Sequence, residues 1–309
     1  LNIVHIGNAG VGTGITNGLK KLGHNSKVIV EKPHPFGFKE DIIIFPNKTP
    51  SHFKALRIIK TILSQKDVDI FHVHLLSSPV YNILRIRKAK RVYHYHSSSH
   101  NQYEPDPPKG MYHAKFVAVP TRIKTIKDAV WIPLPVDTEI KKISQFKEEN
   151  KEIVVGVGSN FSDKTKGKFL RMDLVNKAIE NLQSKGYKIK TLEFKGYRQD
   201  NVLQYWKKID IWLDRFHLGF YGFTTPEAAS CSIPVLCEIY DDYEQYIPEC
   251  PFIRMKPEVS NIESNLEYFI SKTNRDYFGK KCREYAIQKH DIVKVAEKCL
   301  QEYKKILEQ

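Results

Sequence analysis

The stretch Ile209–Tyr240, IDIWLDRFHLGFYGFTTPEAASCSIPVLCEIY, predicts a strand, a glycine-containing loop, a short helix and a second strand. Residues 209–213, IDIWL, are apolar except for Asp210 and suit a buried strand, after which Gly219 and Gly222 break the pattern. The Thr-Thr-Pro sequence at 224–226 is typical of a helix start, and IPVLC at 233–237 suits a second buried strand. Strand, loop, helix and strand in this order indicate an α/β fold.

Glu227 falls in the first turn of the predicted helix. Backbone N–H groups at a helix N-terminus favour a phosphate, and a carboxylate beside them can accept hydrogen bonds from a ribose diol. This combination suits a nucleotide sugar. A carboxylate in a first turn can equally do no more than complement the helix dipole.

The order of residues across 209–240 resembles the family 4 retaining glycosyltransferases of the GT-B type. Their signature has two glutamates eight positions apart, the second followed by Ala, a small residue and a Pro-Val strand. Glu227 matches the second glutamate, while Gly219 stands in place of the first. The chain is similar to a subset of the family with an Asp at the strand end, here Asp214, and a Gly-aromatic-Tyr-Gly run. Asp214 and His217 are the candidates to replace the missing acid.

Length and composition fit a two-domain enzyme. The chain has 309 residues, of which 41% are hydrophobic, enough for two cores of ordinary size. No segment approaches the roughly 18 consecutive apolar residues of a membrane span. The sequence opens on the strand-like LNIVHIG without a basic leader segment. These features predict a cytoplasmic protein, with a peripheral position at the inner membrane face as an option.

The formal net charge of +14 indicates an anionic partner. The densest basic run is LRIRKAKR at residues 84–91, which could form a helix with one basic face. It could be a solvated helix end, a patch for anionic lipid, or a nucleic-acid surface. No nucleic-acid-binding motif is recognisable, so no nucleic acid is expected. Arg85, Arg87 and Lys88 are therefore candidates for the acceptor or membrane side.

Strand and helix patterns alternate along both halves of the chain. Strands are predicted at 2–6, 27–30, 41–45, 70–73, 91–96, 116–119, 153–157 and 190–194, and helices around 15–22, 53–63, 174–182 and 277–307. The polar QFKEENK run suggests a linker at 145–151, between an acceptor-side domain at 1–144 and a donor domain at 152–290. Two facing Rossmann-like domains with parallel sheets are implied. In the resembled family, a C-terminal helix, here 291–309, crosses back onto the first domain.

The glycine-rich sequence GNAGVGTG at residues 7–14 follows the first strand and predicts a loop. Its glycine spacing departs from the usual dinucleotide fingerprint, so an NAD-binding interpretation has little support. In the resembled family the corresponding loop approaches the donor diphosphate. Gly10 and Gly12 are the candidates for that contact.

Histidines cluster in the first half of the chain, at positions 72, 74, 94, 96 and 100. A spacing of two on a strand puts His72 and His74 on one face, as it does His94 and His96, which is compatible with metal ligands. They could also be core histidines bonded to the backbone. The resemblance instead implies that His96, followed by Ser97, lies beside the transferred sugar.

A departing diphosphate needs cationic or backbone donors. The segment GSNFSDKTKGK at residues 158–168 follows the first strand of the second half and supplies them. Lys166 and Gly167 resemble the family's Lys-Gly pair, and Lys164 stands in place of its Arg. An exposed lysine loop is the alternative.

The resemblance implies a retaining, hexosyltransferase-type glycosyltransferase that needs no metal and no cofactor. Its substrate would be a UDP- or GDP-sugar, and its acceptor a glycan or a lipid-linked molecule. The catalytic candidates are His96, Asp214 and Glu227. The donor-binding candidates are Gly10, Gly12, Asn160, Lys164, Lys166, Gly167, Gly219, Phe220, Tyr221, Gly222, Phe223, Thr224 and Glu227. The alternatives are a nucleotide-sugar epimerase of similar fold and a non-catalytic basic binding protein.

Overall fold

The computed structural model describes residues 1–7, 9–45, 51–74, 83–96, 110–139, 152–158, 170–195 and 197–309. The chain divides into two compact units. Unit 1 comprises Leu1–Pro135 and Ile292–Gln309, and unit 2 comprises Val136–Asp291. The division falls before residue 144 because Val136 N–H donates to the His290 carbonyl at 2.7 Å, which ties it to unit 2. The predicted linker at 145–151 lies outside the described residues.

Unit 1 is built on a parallel sheet. Its strands are β1 (Asn2–Ile6), β2 (Asn25–Val30), β3 (Ile42–Ile43), β4 (Ile70–Val73), β5 (Lys90–Tyr95), β6 (Ala114–Val117) and β7 (Ala129–Trp131). Within the described part of the chain their order is β3-β2-β1-β4-β5-β6-β7, and every neighbouring pair is parallel. The helices described in this unit are α1 (Ala9–Lys21), α2 (Ser51–Leu63) and α8 (Ile292–Leu307).

Unit 2 is a second, smaller parallel sheet with its own core. In chain order its elements are β8 (Ile153–Val157), α3 (Met172–Ser184), β9 (Ile189–Glu193), α4 (Val202–Trp206), β10 (Ile211–Leu213), α5 (Thr224–Ser230), β11 (Val235–Cys237), β12 (Ile253–Arg254), α6 (Val259–Tyr268) and α7 (Lys272–His290). The strand order is β12-β11-β10-β8-β9. The central strands are buried and almost continuously apolar, as expected of parallel strands. The predicted α/β fold with two parallel sheets is confirmed.

The glycine-rich segment after β1 is helical, so the prediction of a loop over residues 7–14 was wrong. Helix α1 begins at Ala9 and contains Gly10, Gly12, Gly14 and Gly18. A Cβ on Gly14 would lie 2.6 Å from Pro135 Cγ, and one on Gly18 would collide with the carbonyl oxygen of Ile292. These glycines let α1 approach its neighbours, including α8, more closely than any side chain would permit.

We expect Gly18→Ala to lower the free energy of unfolding by about 2–3 kcal/mol, because the added methyl group overpacks against backbone that cannot move cheaply. Urea denaturation would measure the loss. Asn17→Ala, at an exposed position of the same helix, should change stability by less than about 0.5 kcal/mol. Equal stability of the two variants would contradict the close approach of α8 to Gly18.

Two further predicted helices differ from the structure. The basic run at 84–91 is not one helix, since only residues 83–85 are helical and the chain turns before β5 begins at Lys90. Lys90 and Arg91 instead pair with Ile70 and Phe71 in the sheet.

The single helical stretch predicted at 277–307 is two helices, α7 and α8. Asp291 separates them with an extended backbone, φ −56° and ψ 137°. Among the described helices, none combines the length and apolar character that crossing a bilayer requires.

Candidate functional site

Each sheet has one point where the strand order reverses, and in open parallel sheets ligands bind outside the carboxyl ends of the strands at that point. In unit 2 it lies between β8 and β10, with β9 on one side and β11 and β12 on the other. Segment 158–168 follows β8 in the chain, and residues 214–227 follow β10. The donor-binding residues predicted in the second half thus follow the two strands that flank this point.

Asp214 follows β10 directly, and its side chain is 1% exposed. Its Oδ2 accepts hydrogen bonds from the Gly222 N–H and from the Thr225 hydroxyl, both at 2.7 Å. The Trp212 indole N–H donates to the same hydroxyl at 3.1 Å. Asp214 Oδ1 lies 3.5 Å from Arg215 Nε. The carboxylate therefore fixes the end of loop 215–223 and the start of α5.

Glu227 lies in the first turn of α5, as predicted, and is 3% exposed. Its Oε1 accepts a hydrogen bond from Gln199 Nε2 at 3.0 Å. Helix α5 has seven residues, so few peptide dipoles are aligned behind its N-terminus. The polar chemistry at this position therefore comes mainly from the carboxylate and the amide that positions it.

The loop before α5 has no room for a glutamate at position 219. Gly219 has φ +66°, and a Cβ at this position would collide with the Tyr240 ring. A glutamate would thus be strained in its backbone and blocked by that ring. His217 is exposed with φ +61°, and its N–H donates to the Glu238 carboxylate.

The aromatic residues of the loop point inward. Phe220 and Tyr221 are 2% and 1% exposed, with ring centroids 4.1 Å apart. The Tyr221 hydroxyl is hydrogen-bonded to His290 Nε2 at 3.0 Å. These two side chains shape the loop from inside unit 2, whereas Phe223 and Thr224 are half-buried. The predicted diphosphate residues Asn160, Lys164, Lys166 and Gly167 lie outside the described residues.

In unit 1 the strand order reverses between β1 and β4. Five histidines line one face of the sheet there, and we call them the histidine cluster: His5, His72, His74, His94 and His96. All are buried except His96, which is half-buried. The centroids of neighbouring rings are 4.4–5.3 Å apart, for example 4.7 Å for His5 and His72 and 4.4 Å for His72 and His74.

The rings of the histidine cluster are linked by hydrogen bonds. His5 Nδ1 and His74 Nε2 are 3.0 Å apart, and His74 Nδ1 and His96 Nε2 are 2.9 Å apart. A second branch joins His94 Nδ1 to His72 Nε2 at 3.1 Å, and His72 Nδ1 to the Tyr303 hydroxyl. A Cβ on Gly12 would lie 3.3 Å from His74 Nε2, which gives this predicted donor residue a packing role over the cluster. Gly10 lies in the same turn of α1.

Burial favours the neutral form of the four buried imidazoles, His5, His72, His74 and His94. Desolvation lowers the pKa of His5 to about 3. It also holds the pKa of His72, His74 and His94 well below the ordinary value, and repulsion from neighbouring imidazoles adds to the effect. Two sets of three, His5/His72/His74 and His74/His94/His96, bring one ring nitrogen of each member within 4.8 Å of the others, so either could hold a metal ion.

The predicted acceptor-side cations lie beside exposed apolar side chains. Arg85 and Lys88 are exposed, whereas Arg87 is half-buried and donates to the carbonyls of Leu63 and Gln65. Arg87 therefore holds the 85–88 turn against the end of α2. The exposed apolar side chains on α2 and on this turn are Phe53, Leu56, Leu63 and Ile86, at 50%, 60%, 43% and 73% exposure. With the exposed cations Lys54, Arg57, Lys60, Arg85 and Lys88 they form what we call the basic apolar patch.

Sequence reasoning missed three contributors to these sites. Gln199 donates to the Glu227 carboxylate, Thr225 donates to the Asp214 carboxylate, and His5 joins the histidine cluster. The Thr-Thr-Pro helix start drew attention to position 225 only as a cap. His5 is aligned with His72 by the pairing of β1 with β4, and that register is not visible in the sequence NIVHI.

Comparisons with known proteins place the fold among glycosyltransferases. A family model described as Glycosyltransferase Family 4 matches residues 13–123. No curated protein matches the chain in sequence.

Solved structures match over almost the whole length of the chain. A glycosyltransferase from Rickettsia africae ESF-5 superposes with a TM-score of 0.70 at 14% identity, covering 100% of this chain and 99% of that one. Anabaena Alr3699/HepE, in complex with UDP and glucose, gives a TM-score of 0.65 at 14% identity, covering 99% and 100%. A protein from Listeria monocytogenes described as a UDP-N-acetylglucosamine 2-epimerase gives 0.60 at 12% identity, covering 99% and 96%. At these identities the likeness shows the fold, which is the GT-B class.

Proposed function

We propose that this chain is a retaining glycosyltransferase that transfers a hexose from a UDP- or GDP-sugar to a glycan or lipid-linked acceptor. The observation that carries the proposal is the position of Glu227. A buried carboxylate, held by Gln199, follows one of the two strands that flank the reversal point of the unit 2 sheet. That point is where a parallel sheet accepts a nucleotide.

The matched family model and the UDP complex among similar structures support the same assignment. In the proposed site Glu227 accepts hydrogen bonds from the ribose diol of the donor. Lys164 and Lys166, with the amides of Asn160 and Gly167, neutralise the diphosphate, so that the leaving group needs no metal ion. The half-buried residues Phe223 and Thr224 complete the donor side.

Asp214 positions loop 215–223, and His96 lies beside the transferred sugar. Retention follows if the acceptor attacks from the face that the diphosphate leaves. The diphosphate then stays where it was held and can accept the acceptor proton.

Binding and product analysis test this proposal. We expect UDP or GDP, but not both equally, to raise the melting temperature of the protein, because a ligand that binds only the native state stabilises it. Incubation of the matching sugar donor with candidate acceptors should then give a product whose anomeric configuration, read by NMR, equals that of the donor. Absence of any nucleotide-dependent shift would contradict a donor site, and an inverted product would contradict retention.

An epimerase is the second candidate because a structure with that description shares the fold over 99% of this chain. Incubation with UDP-N-acetylglucosamine in the absence of acceptor separates the two activities. An epimerase would convert the donor to a second sugar, whereas the proposed transferase would leave its configuration unchanged.

The charge of the chain is distributed unequally, which bears on the acceptor. Unit 1 contains 24 of the 49 Lys and Arg residues and 11 of the 35 Asp and Glu residues, a net charge of +13. Unit 2 contains the remaining 25 and 24, a net charge of +1. Exposed apolar side chains among an excess of Lys and Arg over Asp and Glu are typical of a surface that binds anionic lipid. We therefore propose that the basic apolar patch docks unit 1 on an anionic bilayer, where a lipid-linked acceptor would be found.

We expect the protein to co-sediment with vesicles containing anionic phospholipid and not with purely zwitterionic vesicles. Replacing Leu56 and Ile86 together by Ser should weaken this binding at least about tenfold, because two apolar side chains that would be buried in the bilayer are removed. Tyr277→Ser, at a 59% exposed position of unit 2, serves as the control and should bind normally. Equal affinity for vesicles and for duplex DNA would favour nucleic acid as the anionic partner instead.

A further inference from the structure

The histidine cluster contains two ring nitrogens that the hydrogen-bond network among the described residues does not use, His5 Nε2 and His94 Nε2. His94 is fully buried, and among the described residues its Nε2 has no hydrogen-bond partner, while Nδ1 faces His72. A buried polar atom without a partner costs free energy and calls for an explanation. In the same cluster, one ring nitrogen each of His74, His94 and His96 lies within 4.8 Å of the others.

We propose that His74, His94 and His96 bind one divalent transition-metal ion of the Zn²⁺ class. The ligand atoms are His74 Nδ1, His94 Nε2 and His96 Nε2. Three imidazoles form a known ligand set for tetrahedral zinc, in which the fourth position is left for water. Only His96 is half-buried, so that fourth position opens on the side of His96.

The rest of the network is arranged as the outer shell of such a site. Metal-bound imidazoles usually donate their second N–H to a neighbouring acceptor, which fixes the tautomer and the ring orientation. His74 can donate from Nε2 to His5 Nδ1. His94 can donate from Nδ1 to His72 Nε2, which places the His72 proton on Nδ1, directed at the Tyr303 hydroxyl. With these tautomers neither His74 Nδ1 nor His94 Nε2 carries a proton, so both nitrogens can bind the ion.

The pair His74 and His96 needs only a small change to admit the ion. His74 Nδ1 and His96 Nε2 are 2.9 Å apart and share one proton. Tetrahedral zinc with Zn–N bonds of about 2.0–2.1 Å separates its ligand nitrogens by about 3.3 Å, so the half-buried His96 has to move by only a few tenths of an ångström. The shared proton moves to the outer nitrogen of His96, and each imidazole stays neutral.

This site shares His96 with the proposed glycosyl transfer, so its test measures metal binding instead of turnover. Tag-free full-length protein, stripped with a chelator, would be titrated with Zn²⁺ against a chromophoric competitor and, separately, with Co²⁺. We expect one ion per chain and the visible absorption bands of tetrahedral Co²⁺. His96→Ala, at the half-buried position of the cluster, should weaken Zn²⁺ binding at least tenfold. Tyr303→Phe should weaken it less than His96→Ala does, because Tyr303 bonds His72, which is a partner of the ligand His94 and not itself a ligand.

The control is His113→Ala, an exposed histidine outside the cluster, which should bind Zn²⁺ normally. Circular dichroism would establish that each variant retains the fold. Absence of stoichiometric Zn²⁺ and Co²⁺ binding would overturn the proposal, as would equal affinity of the wild type and the His96→Ala variant. Octahedral Co²⁺ spectra would also contradict the three-histidine geometry.

Discussion

Replacing Asp214 with Ala is expected to lower the free energy of unfolding by about 3–5 kcal/mol, the cost of removing one partner from a buried charged network. The Gly222 N–H and the Thr225 hydroxyl both lose their acceptor at 2.7 Å. Trp212, which donates to the same hydroxyl, is buried with them. The end of β10 would then lose its connection to the start of α5.

Denaturation in urea and a conservative variant separate positioning from catalysis. Asp214→Asn keeps one carbonyl oxygen as an acceptor, so it should cost much less stability than Asp214→Ala. We expect residual activity to follow the stability of loop 215–223 in both variants. An Asp214→Ala protein with wild-type stability and abolished activity would contradict this and make Asp214 a catalytic residue.

Replacing Glu227 with Gln is expected to weaken nucleotide binding by roughly ten- to a hundredfold, because a hydrogen bond to a charged group contributes about 1.5–3 kcal/mol. Gln keeps the shape of the side chain and can still accept from Gln199, so the free energy of unfolding should change by less than about 1 kcal/mol. Calorimetric titration with the nucleotide that stabilises the wild type would measure the effect. The loss should appear for the nucleoside diphosphate alone, without a sugar.

Glu263→Gln provides the matched control for Glu227→Gln. Glu263 is also on a helix of unit 2, but it pairs with Lys185 at 2.8 Å on the surface, where an ion pair contributes little. Its nucleotide affinity should equal that of the wild type. Unchanged affinity in the Glu227→Gln variant would leave the carboxylate as a structural partner of Gln199 and would remove the main support for the donor site.

Residues close together in the sequence made the strand, loop and helix around Glu227 predictable. The apolar run at 209–213, the glycines of the loop and the Thr-Thr-Pro start each mark one boundary, and the structure has β10, the loop and α5 in that order. These features depend on residues close together in the chain. The burial of Glu227 and its contact with Gln199 do not, because they require α5 and the segment before α4 to be brought together.

Long-range packing explains where prediction from sequence failed. Glycine is a poor helix former, so the glycines of segment 7–14 suggested a loop. Helix α1 nevertheless begins at Ala9, because its glycines leave room for the close packing of Pro135 and α8. The basic run at 84–91 has near-helical spacing, but Lys90 and Arg91 are taken up by the sheet. The histidines were recognised as pairs on β4 and β5. Their joining into one network with His5 depends on the register of three strands.

The discontinuity of unit 1 affects how the protein can fold during synthesis. Unit 2 is a single continuous segment, so all of its strands are available before α8 has been translated. The first segment of unit 1 is made before unit 2 but lacks α8, which covers Gly18 and supplies Tyr303 to His72, until residues 292–309 have left the ribosome. Domains generally fold as units once their chain is available. The sheet of unit 1, although made before the sheet of unit 2, is therefore the later of the two to reach its finished packing.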